Sequence, residues 1–207
     1  MPLTTAHQVN PSRGAPSAAS FRVVIERDGK RLAVAPSSLH LPRIEEEEYR
    51  SLSDLVFFDY AKVPDGHRSA HLDITNVHWS DANEVVADYS FVIGYPTESH
   101  RIELDLQDET QLSEFTMRWI RQDLQRSDSA PMDTENRLIF VKHEQSTRLS
   151  INPDGLSGSP VFSIVHDQLK DRHLRFEGIV TNARDDRFAV LPSAHIRPML
   201  DGIVDGN

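Results

Sequence analysis

The chain has 207 residues with 22 basic and 32 acidic side chains, a formal net charge of −10, and no cysteine. This length is enough for one large all-β unit or two small ones with a real core. Without cysteine there are no disulfides or zinc–thiolate sites, and the acidic balance argues against nucleic acid or an anionic membrane as partner. The sequence has neither a long apolar run nor a signal-peptide pattern, so we expect no membrane span and a cytoplasmic protein.

Short apolar runs separated by turn residues predict a mainly β protein. Residues 21–25 and 31–35 flank Asp28 and Gly29, a combination typical of a hairpin with a tight turn. Residues 10–20, rich in Pro, Ser, Ala and Gly, are expected to form a surface loop. Further strands are predicted at residues 55–58, 84–92, 102–106, 138–141, 161–165 and 179–181.

Two segments carry apolar side chains at helical spacing. In residues 112–124 the apolar side chains also fit the alternation of a strand, and we favour a strand because the surrounding segments are predicted as β. In residues 193–203 no such alternation competes, which predicts a closing helix at the C-terminal end. Its apolar positions are Ile196, Met199 and Leu200.

The most informative motif is a serine between two glycines, in the sequence Gly-Leu-Ser-Gly-Ser-Pro at residues 155–160, directly before an apolar run. Gly155 and Gly158 lack a Cβ, so they can take backbone angles closed to other residues and let a substrate carbonyl approach the main chain. An α/β-hydrolase turn needs Gly-x-Ser-x-Gly, and Ser159 stands where its second glycine would be. The motif therefore predicts a nucleophilic hydroxyl at Ser157 on a different type of turn.

This turn resembles the active-site turn of chymotrypsin-type (trypsin-like) serine peptidases. Residues 3–9, Leu-Thr-Thr-Ala-His-Gln-Val, are similar to the histidine segment of that family, and residues 53–58, Ser-Asp-Leu-Val-Phe-Phe, are similar to its aspartate segment. The candidate residues His7, Asp54 and Ser157 follow one another in the family's order. The three matches support one another because their order and spacing agree.

The resemblance extends to residues 91–96 and 176–181 and implies a fold. The family has two Greek-key β-barrels and a short C-terminal helix, so we expect one all-β domain over residues 1–207. Residues 1–90 would form the N-terminal barrel, and residues 91–207 the C-terminal barrel with its closing helix. Family members normally carry more strands before the histidine, so the first barrel is expected to lack its opening strands.

The family's mechanism implies a role for each matching residue. His7 would take the proton of the Ser157 hydroxyl and return it to the leaving group, while Asp54 would hold the imidazole in the useful tautomer. The backbone N–H groups of Gly155 and Ser157 would form the oxyanion hole. The reaction would be hydrolysis of a peptide bond in a polypeptide substrate through an acyl-enzyme, with no cofactor.

Substrate-binding positions follow from the same resemblance. Ile151, with Asn152 beside it, matches the floor of the first specificity pocket; an apolar floor cannot pair with Lys or Arg, which predicts a preference for small or apolar side chains. The strand that pairs with the substrate backbone would end in Thr181, Asn182 and Ala183. Leu156 replaces the aspartate that digestive relatives use to bind a newly exposed N-terminus, so activation by N-terminal cleavage is not expected.

Three possibilities stay open at this point. The chain is either an active peptidase, a degenerate homologue that binds peptides by β-addition at the strand of residues 178–183, or an unrelated β-domain. We predict no metal site, because the ten histidines lack the paired spacing of a zinc helix. The run of four glutamates at residues 45–48 is expected to be a solvated loop.

Overall fold

The computed structural model describes residues 3–5, 23–27, 30–42, 54–60, 77–79, 86–104, 112–127, 136–144 and 152–205. The chain divides into two compact units, which are described separately. One unit comprises Met1–Asn76 together with Met199–Asn207, and the other comprises Val77–Pro198. Among the described residues, no helix is long and apolar enough to cross a membrane.

The first unit contains two small antiparallel sheets in its described part. Its strands are β1 (Leu3–Thr5), β2 (Val23–Arg27), β3 (Lys30–Val34), β4 (Ser38–His40) and β5 (Leu55–Asp59). β5 lies between β1 and β4 in a three-stranded sheet, and β2 pairs with β3. Arg27 pairs with Lys30, which leaves two residues for the turn and confirms the predicted hairpin.

Strand β5 supplies buried side chains to the first unit. Its residues Leu55, Val56, Phe57 and Phe58 are all fully buried, so both faces of the strand are covered. A strand buried on both faces appears in a sequence as a continuous apolar run, which is how this element was predicted. A closed barrel is not present among the described residues of this unit, and the first of the two expected barrels is therefore not confirmed.

The second unit contains a closed six-stranded antiparallel barrel. The described strands of the whole unit, in chain order, are β6 (His78–Trp79), β7 (Val86–Gly94), β8 (His100–Leu104), β9 (Leu112–Met117), β10 (Ile120–Ser127), β11 (Leu138–Lys142), β12 (Pro160–His166), β13 (Arg172–Arg184) and β14 (Arg187–Pro192). Around the barrel the order is β12-β7-β10-β11-β14-β13, and a pairing between β12 and β13 closes it. β6 adds to β13 in parallel, and β8 with β9 forms a separate hairpin.

One apolar cluster fills the barrel and includes a residue of the serine turn. Leu156, next to Ser157, is only 1% exposed and packs among strand side chains. The other buried members of the cluster are Val92, Leu124, Phe140, Val161, Val180, Phe188 and Val190. Burial of one large aliphatic side chain contributes about 1.5–3 kcal/mol, so Leu156 anchors the turn in the barrel core.

The structure confirms most of the predicted elements and extends some of them. Residues 112–117 lie in β9 and residues 120–124 in β10, which confirms the preferred strand, and the C-terminal helix is present as α1 (Ser193–Asp205). β13 is 13 residues long, far beyond the predicted 179–181, and β14 was not predicted. Residues 10–20 and 45–48 lie outside the described residues.

The facing serines of β7 and β12 offer a test of the barrel register. Ser90 pairs with Ser163 across the two strands, and their hydroxyl oxygens lie 2.7 Å apart in a buried hydrogen bond. Replacing both by cysteine is expected to give a disulfide, because directly paired side chains meet its geometry. The bond would close a loop of 73 residues, which corresponds to about 4 kcal/mol in the chain-entropy model.

Denaturant unfolding of the double variant, with and without reductant, measures this stabilisation. The Ser163→Cys single variant is the control, since it cannot form the bridge and should not respond to reductant. Two free thiols in the folded double variant under oxidising conditions would contradict the register.

Candidate active site at the Ser157 turn

The Ser157 turn is built from two short backbone hydrogen bonds. The N–H of Leu156 donates to the carbonyl of Pro153 at 3.0 Å, and the N–H of Ser159 donates to the carbonyl of Leu156 at 2.9 Å. Together they bend the chain twice just before β12 begins. Ser157 lies inside the second bend, directly after Leu156, and is half-buried.

Both glycines of the motif have backbone angles that explain their presence. The φ angle is 89° at Gly155 and 81° at Gly158, in the left-handed region that residues with a Cβ rarely adopt. A Cβ on Gly155 would also lie 2.5 Å from Oγ1 of Thr97 and 2.8 Å from its backbone nitrogen. The predicted conformational role of these glycines is thus observed.

The turn packs closely against β7. A Cβ on Gly94, the last residue of β7, would overlap Oγ of Ser159 and lie 2.6 Å from Cδ2 of Leu156. Ser159 itself is buried, with 8% of its surface exposed. Glycine at position 94 therefore gives the turn the space to sit directly on the strand.

Strand β13 holds the other side of the turn. The N–H of Gly158 donates to the carbonyl of Val180 at 2.7 Å, and the N–H of Val180 donates to the carbonyl of Ser159 at 2.9 Å. This reciprocal pair fixes the turn beside the residues that follow Val180. Those residues are the predicted substrate-binding positions Thr181, Asn182 and Ala183.

Two N–H groups of the turn are left out of its backbone hydrogen bonding. Among the described residues, the backbone bonds between loops and strands use the N–H groups of Leu156, Gly158 and Ser159, and none uses the N–H of Gly155 or Ser157. An N–H group that has no backbone acceptor is satisfied instead by a side chain, by water or by a ligand. The two groups are the ones predicted to form the oxyanion hole.

The end of β13, next to the turn, has one edge with no strand beside it among the described residues, which we call the open edge. Asn182, Ala183 and Arg184 pair with β14 on one side. On the other side the pairing with β12 ends at Ile179, opposite Pro160, so no described strand lies beside the last residues of β13 there. Thr181 interrupts the ladder with β14, and its hydroxyl donates to the carbonyl of Ala189 at 3.2 Å.

The remaining predicted site residues are spread over the chain. Asp54 lies in the first unit, half-buried, immediately before β5. Asn152 is exposed in the second unit, where its Nδ2 donates to Oδ2 of Asp154 at 3.2 Å. His7 and Ile151 lie outside the described residues. The structure thus brings the Ser157 turn together with strand β13. The arrangement of His7, Asp54 and Ser157 as a catalytic triad stays a prediction.

The sequence analysis missed the contacts of a single turn of 3₁₀ helix, Thr97–Ser99. The N–H of Thr97 donates to the carbonyl of Asp154 at 2.9 Å, and Oε1 of Glu98 accepts the N–H of Asn152 at 3.1 Å. Pro96 just before these residues is a helix-start signal that marks the turn in the sequence. Nothing in the sequence indicates that the turn contacts residues 152–155.

No relative supplies an assignment for this site. The chain matches no protein-family model and no curated protein. Within the residues that the structure describes, no group of three or more His, Asp or Glu side chains is arranged to hold a metal ion. A functional proposal therefore depends on the motif and on the geometry of the turn.

Proposed function

We propose that this protein is a chymotrypsin-type (trypsin-like) serine endopeptidase with Ser157 as nucleophile. The observation that carries the proposal is the Ser157 turn, in which the N–H groups of Gly155 and Ser157 have no backbone acceptor among the described residues. A tetrahedral intermediate on Ser157 needs two such donors for its oxyanion. The Gly-x-Ser-Gly-x-Pro sequence and this backbone arrangement favour acyl transfer over a purely structural turn.

The strand order of the barrel supports a Greek-key topology. β7, β10 and β11 follow one another around the barrel, and β12 returns to lie on the other side of β7. A spatial order in which the fourth strand lies beside the first is the defining feature of a Greek key. This order agrees with the C-terminal barrel expected from the family.

The pairing of β1 with β5 supports the placement of His7 near Asp54. Thr5, the last residue of β1, is paired with Leu55, the residue directly after Asp54. The strand pair thus joins the segment that precedes His7 in the sequence to the segment that follows Asp54, which supports the predicted partnership of these two residues.

The proposed chemistry is acyl transfer to water. His7 accepts the hydroxyl proton as Ser157 attacks the peptide carbonyl, and then gives that proton to the leaving amine. Asp54 orients the imidazole and stabilises its protonated form. The Gly155 and Ser157 N–H groups bind the oxyanion of each tetrahedral intermediate, and water attacking by the reverse route releases the acid.

The open edge of β13 supports a polypeptide as substrate. An extended peptide can add to an unpaired strand edge through main-chain hydrogen bonds, and residues 181–183 lie directly after the residue that pairs with the Ser157 turn. A peptide held there would have its backbone next to the nucleophile. We propose that the residue before the cleaved bond has a small or apolar side chain, because the apolar Ile151 matches the floor of the first specificity pocket.

Covalent labelling with a fluorophosphonate tests the nucleophile. We expect one adduct per native chain by intact mass, located on Ser157 by peptide mapping, and none on Ser157→Ala, since removal of a catalytic serine costs about 10⁶-fold in comparable enzymes. Ser159→Ala is the matched control from the same turn and should still react. His7→Gln and Asp54→Asn should react far more slowly than the native chain.

Different outcomes point to different conclusions. An adduct on Ser157→Ala would contradict the nucleophile, and native reaction rates in His7→Gln and Asp54→Asn would contradict the triad. A folded native chain that stays unlabelled would favour the alternative function, a peptide-binding module that uses the β13 edge without catalysis.

A further inference from the structure

The peptide group between Asp154 and Gly155 has a fixed orientation in this structure. Its carbonyl accepts the N–H of Thr97 at 2.9 Å, and its own N–H is that of Gly155. A trans peptide is planar, with its oxygen and hydrogen on opposite sides. Holding the carbonyl toward Thr97 therefore directs the Gly155 N–H to the opposite side.

This orientation is not secured by Gly155 itself. Glycine has no Cβ and adopts positive and negative φ about equally well, so the chain is free to rotate the peptide unless neighbouring groups prevent it. The N–H of Leu156 bonds the carbonyl of Pro153 across this peptide, but turns closed by such a bond occur with either orientation of the central peptide. A rotated peptide would present a carbonyl oxygen in place of a donor, which repels an oxyanion.

Glu98 and Asn152 connect this peptide to the 3₁₀ turn through side chains. Oε1 of Glu98 accepts the backbone N–H of Asn152 at 3.1 Å. Asn152 then bonds Asp154 twice, because its Oδ1 accepts the Asp154 N–H at 3.1 Å and its Nδ2 donates to Asp154 Oδ2 at 3.2 Å. Hydrogen bonds thereby hold Asn152 and Asp154, two of the residues directly before Gly155.

We propose that Glu98 is a positioning residue for the oxyanion hole. Its carboxylate fixes Asn152, Asn152 fixes Asp154, and with the Thr97 N–H this keeps the Asp154–Gly155 peptide oriented with its N–H available to the oxyanion. The inference rests on the proposed function for its catalytic consequence. The restraint on the backbone itself does not depend on that function.

Two readouts on the same variants test the proposal. The first is the fluorophosphonate reaction, resolved into reagent affinity and maximal rate for the native chain, Glu98→Ala and Glu98→Gln. We expect Glu98→Ala to lower the maximal rate about tenfold, as expected for one lost charged hydrogen bond, with little change in affinity. Glu98→Gln keeps an oxygen acceptor and should recover most of the rate.

The second readout is hydrogen exchange of the Asn152 and Thr97 amides, which bond Glu98 and the Asp154 carbonyl, followed by NMR. Both amides should exchange faster in Glu98→Ala than in Glu98→Gln. The control for both measurements is Glu144→Ala, which removes an exposed glutamate that follows β11 and should behave as the native chain.

The outcomes separate this proposal from the function it rests on. A Glu98→Ala variant that reacts at the native rate, or a Glu98→Gln variant as slow as Glu98→Ala, would overturn the positioning role. If the native chain does not react at all, the peptidase proposal fails, and the amide exchange alone tests whether Glu98 restrains the backbone. Faster exchange in Glu98→Ala then still supports the restraint, and equal exchange in the two variants overturns it.

Discussion

Replacing Gly178 by alanine is expected to destabilise the protein by more than about 4 kcal/mol, which is an exceptional loss for a single substitution. Gly178 lies in β13 with a φ of 146°, which L side chains rarely adopt. An added Cβ would overlap the carbonyl oxygen of Leu191 and lie 2.8 Å from its carbonyl carbon. These are backbone atoms of the paired strand β14, so they cannot move aside as a side chain can.

The consequence would reach the candidate active site. Gly178 pairs with Pro192 on one side and Val161 on the other, next to a register shift between Val161 and Phe162. Two residues further along β13, Val180 makes both backbone hydrogen bonds to the Ser157 turn. Any Gly178→Ala protein that still folds should therefore react more slowly with fluorophosphonate.

Urea unfolding measures the change in stability, with Gly202→Ala as the matched control. Gly202 lies in helix α1, and a Cβ added there would meet nothing within 4 Å. Alanine in a helix interior is favoured over glycine by about 0.5–1 kcal/mol, so the control should be neutral or more stable. A Gly178→Ala variant within about 1 kcal/mol of the native chain would contradict the close approach of β13 and β14.

How far the sequence predicts this fold depends on where the apolar side chains lie. β5 and β12 were predicted because their buried residues form continuous runs or simple alternations. From its apolar pattern β13 was predicted over only three residues, and the resemblance extended it to residues 176–183. The pattern is short because the first half of β13 carries Arg175 and Glu177, two charged side chains that are nevertheless buried. A charge buried by pairing with another charge gives no apolar signal in a sequence.

β14 was missed for a different reason. Its connection to β13 is a two-residue turn, Asp185 and Asp186, between the paired residues Arg184 and Arg187. Asp185 has a φ of 55°, a conformation that aspartate tolerates better than most residues. The pattern Arg-Asp-Asp-Arg resembles a solvated charged loop, so the hairpin was not recognised.

The candidate site was predictable where it depends on local sequence. The glycines around Ser157 are needed by the turn itself, so the motif already contains the information. The contacts of Thr97 and Glu98 with residues 152–155 join segments that are more than 50 residues apart along the chain. Such pairings arise from the strand order of the barrel, which no local pattern encodes.

The second large effect is expected at Glu177. The Nε and Nη2 atoms of Arg175 both contact Oε1 of Glu177, at 2.8 and 2.7 Å, and the two side chains are only 11% and 2% exposed. Removing one partner of a buried ion pair leaves the other charge uncompensated, which costs about 3–5 kcal/mol. Glu177→Ala should therefore lower the free energy of unfolding by that amount.

Replacing both partners separates the charge effect from packing. Arg175→Met with Glu177→Leu removes both charges and keeps the volume, and such replacements of buried pairs are often neutral or stabilising. We therefore expect the double variant to be at least about 2 kcal/mol more stable than Glu177→Ala. Arg184→Met is the control from the same strand, because Arg184 is 81% exposed in its contact with Asp185 and an exposed pair contributes about 0–1 kcal/mol.

Comparison of the double variant with Glu177→Ala also decides why this pair is present. If the double variant is stable and still reacts at Ser157, the ion pair is dispensable for the barrel, and its cost in the single variant is that of one unpaired buried charge. If the double variant is as unstable as Glu177→Ala, the pair itself holds β13 in its register opposite β12. A Glu177→Ala variant that loses less than about 1 kcal/mol would contradict the burial of the pair, since only exposed pairs contribute so little.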